Sequence, residues 1–420
     1  MLGPLLRATH SPRHVAFVVA SALMLATQSR ALLGGVGLGE IAGTIFIGLT
    51  LRLRHQVPLW ATLSMATLFT GFVVGATVNQ ITGLSAQVVP RDIAALGFAL
   101  VFAGCSVAHL RSRPEPTIAL GQALSAAILV QSAPLLMLIA GIETHSWLTF
   151  TDEPGIPFLS RYTGFSDNPN QLGGLLCAYP PVAIACLWRA PTLGARIGWC
   201  FSLLATIGIA TLVASNTVFS AYILSAMLWA VLRFNQWGAG LARPLQAGRV
   251  LATLAMGSVA TVSFLLYASE SINKTGDADA NGRFPLWLNA VDGIMQSGFL
   301  GVGPGGQTGE TGPFEGWEAH NFLLDITLQG GLLSLLAYLL LLVGLLRQVM
   351  RSRSLLAAAV LLAILTQQLS HYTARQPIAW LYVLVPLALG ARGLHRQAPS
   401  SAARPRPRPS GLSPYPAPTL

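Results

Sequence analysis

The sequence predicts an all-α fold: a polytopic transmembrane bundle of about twelve helical spans with one large polar loop late in the chain. Three observations predict it. Charged residues make up 10% of the 420 positions and hydrophobic residues 53%, with a mean hydropathy of +0.60, whereas a soluble domain carries about 25% charged residues. Apolar runs of 16 to 26 residues recur from one end to the other, and a helix needs roughly 20 residues to cross a hydrocarbon core. Basic residues gather in alternate gaps between those runs, as orientation by positive charge requires.

Taken in order, spans are expected at 14–29, 35–53, 58–79, 91–110, 116–141, 171–188, 197–214, 217–232, 249–269, 320–346, 355–371 and 377–391. The basic start before the first run reads as part of an uncleaved span, because further spans follow without a cleavage context. Arg30 and Glu40 interrupt the first two spans, and the turn at Ser215 closely joins the seventh and eighth. With the N-terminus in the cytoplasm, nineteen of the 25 Lys and Arg residues fall inside. The six outside are Arg30, Arg91, Arg161, Lys274, Arg283 and Arg375. Of 15 acidic residues only Glu115 falls in an inside loop. Both termini are therefore expected in the cytoplasm. The membrane domain covers 1–396, and the tail 397–420, with Arg404-Pro405-Arg406-Pro407-Arg408-Pro409, is expected to be disordered.

Composition also narrows function. The net charge of +10 is mostly arginine between spans, which points to topology and contact with anionic membrane lipids, not to nucleic acid. Cys105, Cys177, Cys186 and Cys200 all lie in apolar runs, so no disulfide framework is implied. No Cys/His spacing resembles a metal site, and neither metal nor cofactor is expected.

Chemistry is expected in two outside loops, 142–170 and 270–319. In the second, Gly282-Arg283-Phe284-Pro285 reads as a helix start with Pro285 at the first helical position. Phe284, Trp287, Leu288, Val291, Ile294 and Met295 then recur at helical spacing, so 285–296 reads as a short interfacial amphipathic helix. An arginine at a helix N-terminus opposes the macrodipole. Arg283 there makes sense if it holds an anion together with backbone N–H groups, or else it snorkels to lipid headgroups. The run Gly301-Val302-Gly303-Pro304-Gly305-Gly306 is a loose phosphate cradle or a glycine-rich turn; it lacks the Gly-Lys-Ser/Thr ending of a nucleotide loop.

His320 stands where the next span enters the membrane, placed to take a proton from a hydroxyl near neutral pH. Asn321 and Asp325 share a helix face, and an intramembrane Asp is costly unless paired or functional. In the first loop, Arg161 is a second candidate anion contact, or pairs with Asp152 or Glu153, and Asn168-Pro169 marks a turn. Gln367, Gln368, His371 and Arg375 line the same space or join helices by hydrogen bonds.

Arg161 through Gly173, Gly282-Arg283…Trp287, Gly301-Val302-Gly303-Pro304-Gly305 and His320-Asn321-Phe322…Gly330-Gly331-Leu332 together resemble the O-antigen ligase and O-antigen polymerase superfamily. The match covers about residues 160 to 345. The resemblance implies a bacterial inner-membrane enzyme that moves an undecaprenyl diphosphate-linked glycan, on the periplasmic face, to a lipid A–core sugar or to a growing polysaccharide, without a metal. It implies His320 and Arg283 as catalytic residues; Arg161, Asn321 and Arg375 stand beside them as candidate contacts to the diphosphate and glycan by their own positions. One position departs from the family. Its Ser-Arg pair at the outer end of a span corresponds here to Ala214-Ser215-Asn216-Thr217, so the arginine is missing and Arg161 or Arg375 is left to supply the charge. Ligase and polymerase both stay open. The alternatives are a secondary transporter, suggested by about twelve spans with both ends inside, and a non-catalytic partner in polysaccharide export.

Overall fold

A computed structural model describes residues 11–26, 37–83, 90–142, 150–156, 159–166, 168–237, 283–305 and 318–390, with only the backbone at 25–26, 150–156, 159–160, 233–237 and 283–284. Helices lie at eleven of the twelve expected positions. The other, 249–269, lies outside the described residues, as do the tail and much of the second polar loop.

In chain order the elements are α1 (Pro12–Ala26), α2 (Leu38–Thr50) with a 3-10 turn, α3 (Leu59–Thr82), α4 (Pro90–Ser112), α5 (Pro116–Ile139), β1 (Phe150–Ile156), β2 (Leu159–Tyr162), α6 (Pro169–Leu176), α7 (Tyr179–Arg189), α8 (Leu193–Val213), α9 (Asn216–Trp237), α10 (Arg283–Gln296), α11 (Phe322–Ser352), α12 (Leu355–Gln368), α13 (Pro377–Leu384) and α14 (Pro386–Leu389). Six segments are long and apolar enough to cross a membrane: α3, α4, α5, α6 with α7, α8, and α11. Four more helices are apolar but shorter.

Leu193, Ile197, Phe201 and Leu204 expose one apolar stripe along α8, and Leu332, Leu336, Leu340 and Met350 do so on α11. Stripes of this extent need lipid rather than water against them. The chain is therefore a membrane-embedded α-helical bundle. The first polar loop adds an antiparallel two-stranded ribbon, β1 with β2, pairing Phe150 with Tyr162 and Ile156 with Leu159.

Three of the apolar helices are interrupted, each at a proline or a glycine. Pro180 and Pro181 divide α6 from α7, and Pro386 divides α13 from α14, because proline brings no N–H. In α11 the break falls at Gly331, with φ 67° and ψ −173°, a combination open essentially to glycine alone. The loop after α10 fills the gap. Val302 N–H donates to the Leu328 carbonyl at 2.8 Å, Gly303 N–H to the Gln329 carbonyl at 2.9 Å, and Leu332 N–H to the Phe299 carbonyl at 2.9 Å. Inside a bilayer every freed backbone group needs such a partner.

The glycine run is thus a structural insert. A Cβ on Gly301 would stand 2.5 Å from the Gly331 nitrogen, and one on Gly303 2.5 Å from the Ala76 Cα on α3. Of the two readings of the run, backbone packing accounts for Gly301 and Gly303, while Gly306 lies outside the described residues.

Candidate functional site

One end of the bundle encloses a cavity of about 900 Å³. Its walls come from the start of α2 (Glu40, Ile41, Thr44, Ile45), the start of α4 (Arg91, Asp92, Ala94, Ala95, Phe98), the entry to α6 (Asn168, Asn170, Gln171), the segment before α11 (Glu318, His320) and the turn between α12 and α13 (His371, Tyr372, Arg375, Gln376, Pro377). Each polar wall residue belongs to a segment that the charge distribution assigns to the outside. Ile41 and Ile45 are exposed, so the cavity has an apolar flank as well as a polar floor.

His320 lines this cavity, in a left-handed backbone conformation (φ 53°). Its ring centroid lies 6.4 Å from that of His371, the planes inclined by 64°. The sequence folds this way because α11 begins abruptly just after it. Asn321 is the N-cap, its Oδ1 accepting from the Leu323 and Leu324 amides at 3.1 and 3.3 Å. Phe322, 1% exposed, anchors the first turn against Tyr338 and Trp380, with ring centroids 4.8 and 5.9 Å away. Asn321 is therefore occupied as a cap, and its Nδ2 donates to the Leu369 carbonyl at 3.4 Å.

Arg375 also lines the cavity, fixed from several sides. Its guanidinium donates to Asp92 Oδ2 at 2.8 Å and to Glu318 Oε1, and lies 5.3 Å from the centre of the Tyr372 ring. Burial opposes the Arg375 charge, but the Glu318 and Asp92 carboxylates outweigh it and raise the pKa above the ordinary value. Burial pushes Glu318 up to about 7, with Arg375 pulling it back and Asp92 adding to the rise. The Tyr372 hydroxyl, held up by burial, donates to Gln329 Oε1 at 2.6 Å. Gln329 is also the residue whose carbonyl meets the inserted glycine loop, so one hydrogen-bonded chain links the broken helix to the cavity floor.

Arg161 does not line the cavity but borders it. Its Nε donates to the Val213 carbonyl at 3.1 Å and its Nη2 to Asn170 Oδ1 at 2.9 Å. Val213 ends α8, directly before Ala214-Ser215-Asn216. Arg161 thus reaches the turn between α8 and α9 at Ala214-Ser215. The neighbouring Tyr162 explains why it stays there. That side chain is fully buried, its hydroxyl donates to the Gln131 carbonyl at 2.5 Å, and Gln131 Oε1 accepts from the Phe165 amide at 2.7 Å.

Arg283 begins α10, one residue pair ahead of the expected helix start. Its side chain lies outside the described residues. One turn on, Trp287 Nε1 donates to the Ala319 carbonyl at 3.0 Å, which brings the start of α10 beside His320.

The other polar candidates divide. His371 lines the cavity. Gln367 Nε2 instead donates to the Asn170 carbonyl at 3.2 Å, and Gln368 bonds Tyr338 and Thr373, joining helices. Sequence reasoning missed Arg91 as a site residue. It is exposed, lines the cavity and has no ion-pair partner among the described residues. The signal was there: it is one of only six basic residues assigned outside. Among the described residues no group of three or more His, Cys, Asp or Glu side chains comes together as a metal site.

No protein-family model matches the chain, and a search of curated proteins returns no match. The site's chemistry has to be argued from its own geometry.

Proposed function

We propose that the protein is an inner-membrane glycan transferase of the O-antigen ligase or polymerase type, with both termini in the cytoplasm, about twelve spans and the cavity on the periplasmic face. The observation that carries the reading is His320. An imidazole held at the entrance of a membrane helix opens on a space with a polar floor and an apolar flank, which suits a lipid-linked sugar. Ile41, Ile45 and Phe98 would lie along the lipid, and the Asn, Gln and carboxylate groups would meet sugar hydroxyls.

In the reaction, an acceptor hydroxyl donates its proton to His320 as its oxygen attacks the anomeric carbon of the donor. The bond from that carbon to the diphosphate oxygen breaks, and the lipid diphosphate leaves with the electron pair. One displacement inverts the anomeric configuration. Arg283, supported by Arg161 from beside Asn170, meets the charge that builds on the leaving group. Arg375 is already balanced by Asp92 and Glu318, so its part is to shape the floor and orient sugar hydroxyls rather than to carry the diphosphate.

The test is substitution in cells, with protein amount checked by immunoblot. His320→Ala, Arg283→Ala and Arg161→Ala, made separately, are expected to lose the polymer or ligated product. Retained product in the first two rejects the assigned roles. Deleting the protein distinguishes the two acceptors by gel: free lipid-linked polymer accumulates for a ligase, and single repeat units accumulate for a polymerase. A secondary transporter would instead require an ion gradient in sealed vesicles.

A further inference from the structure

The transferase reading makes His320 the reacting group, and the following inference rests on that reading. A left-handed backbone at a non-glycine residue persists only where its surroundings over-determine it. Here they do. Asp325 Oδ1 accepts from the Ala319 amide at 2.9 Å, and Oδ2 accepts from the Asn321 amide at 3.1 Å. These are the two amides that flank His320. The Ala319 carbonyl in turn accepts from Trp287. Both oxygens of one side chain, 1% exposed, are thus spent on the N–H groups of the residues immediately before and after His320.

Ordinary capping does not account for this. In a capping box the acidic side chain stands at the third helical position and returns to one amide, that of the cap residue. Asp325 stands at the fourth position after the cap Asn321 and takes a second amide beyond it. A carboxylate inside a membrane segment is costly without such partners. We infer that Asp325 is a positioning residue for the transfer, a carboxylate clamp that holds the backbone of His320 so that the imidazole faces the cavity. It touches neither donor nor acceptor in this arrangement. Its effect on the reaction passes through His320.

Asp325→Asn tests this with almost no change in volume, because the amide group turns an N–H₂ toward one of the two backbone N–H groups. Full-length protein in nanodiscs would be given the lipid-linked glycan together with the acceptor glycolipid, both extracted from the deletion strain, and amide hydrogen exchange at 319 and 321 would be followed by mass spectrometry. The expected result is faster exchange at both amides, a fall in kcat of about 100-fold, and KM within about twofold. Placed on His320→Ala, the same substitution is expected to add no further loss, since two groups acting as one unit are not additive. Unchanged kcat with released amides, an equal further loss on His320→Ala, or unchanged exchange would each overturn the clamp. If the Asn variant does not accumulate, Asp325→Glu keeps both oxygens one methylene further out. Wild-type kcat with altered exchange in that variant would also overturn it. If the wild-type protein transfers nothing, the transferase reading fails, while exchange at 319 and 321 still decides whether the clamp exists.

Discussion

Two irregular points fall in the first third of α11 and just before it. His320 (φ 53°) precedes the helix, and Gly331 (φ 67°) interrupts it. At both, backbone groups that the helix itself leaves without a partner are taken up by other groups. At Gly331 the partners are peptide groups of the 299–303 loop, and no space remains: a Cβ would stand 2.5 Å from the Leu300 carbonyl oxygen. At His320 the partners are side chains, Asp325 and Trp287, acting from behind. The imidazole is left facing a cavity of about 900 Å³. Discontinuous membrane helices often mark the ion or substrate sites of transporters, where freed backbone groups bind the cargo. Here the freed groups of the break bind the chain itself. The contrast separates an irregularity that builds the fold from one that presents a side chain.

That contrast predicts opposite failures. Gly331→Ala adds a methyl group where both the dihedral angles and the neighbouring carbonyls exclude it, a loss of roughly 3 kcal/mol or more. The expected outcome is little folded protein by fluorescence-detected size exclusion, and a monodisperse, active Gly331→Ala protein would contradict the insert. His320→Ala should do the reverse. It removes a ring facing open space, so the melting temperature in detergent should stay near wild type while transfer falls about 100-fold or more. A protein that unfolds on this change would make His320 structural.

The pH response sharpens the difference further. Glu318, beside His320, faces Arg375 and Asp92, with the Asp325 side chain and the Tyr372 ring nearby. Its folded pKa of about 7 lies above the ordinary carboxylate value of 4.5. Between those values the folded state binds the proton more tightly than the unfolded state. Its contribution to stability is therefore full below about 4.5 and is lost as pH rises through about 7. Melting temperatures of the wild type should carry this downward component from pH 5 to 8, and Glu318→Gln should remove it. An identical slope in both proteins would show that Glu318 does not titrate in this window.

Much of this was legible in the chain. Apolar length locates helices, since nothing but a helix satisfies its backbone locally in lipid. His320 was legible because a lone imidazole at a polar-to-apolar boundary stands out. The break in α11 was not, because its cause is distant: the Gly330-Gly331 pair makes sense only against Gly301 and Gly303. The neutralised state of Arg375 was hidden for the same reason, with Asp92 283 positions away and Glu318 57. The β1–β2 ribbon escaped because Pro154 and Gly155 spoil the alternation by which a strand is recognised. Arg161 was legible as a cation, but its reach to the end of α8 depends on Tyr162 being buried under Gln131, which no spacing encodes.

The smallest expected effect concerns the two cavity arginines. Arg375 is clamped by two carboxylates, whereas Arg91 is exposed and has no ion-pair partner among the described residues. Arg91 also sits at the second position of α4, where a cation opposes the helix dipole by about 0.3–1 kcal/mol. Arg91→Ala should leave the melting temperature level or slightly higher. If the guanidinium meets an anionic donor at the cavity mouth, the same change should raise KM about three- to tenfold and weaken its dependence on salt, with kcat held. Arg375→Ala should instead lower stability, because it leaves Asp92 and Glu318 facing each other without a counter-charge. Equal effects of the two substitutions on KM and on melting would mean that pairing does not divide their roles, and Arg375 would then count as a donor contact as well.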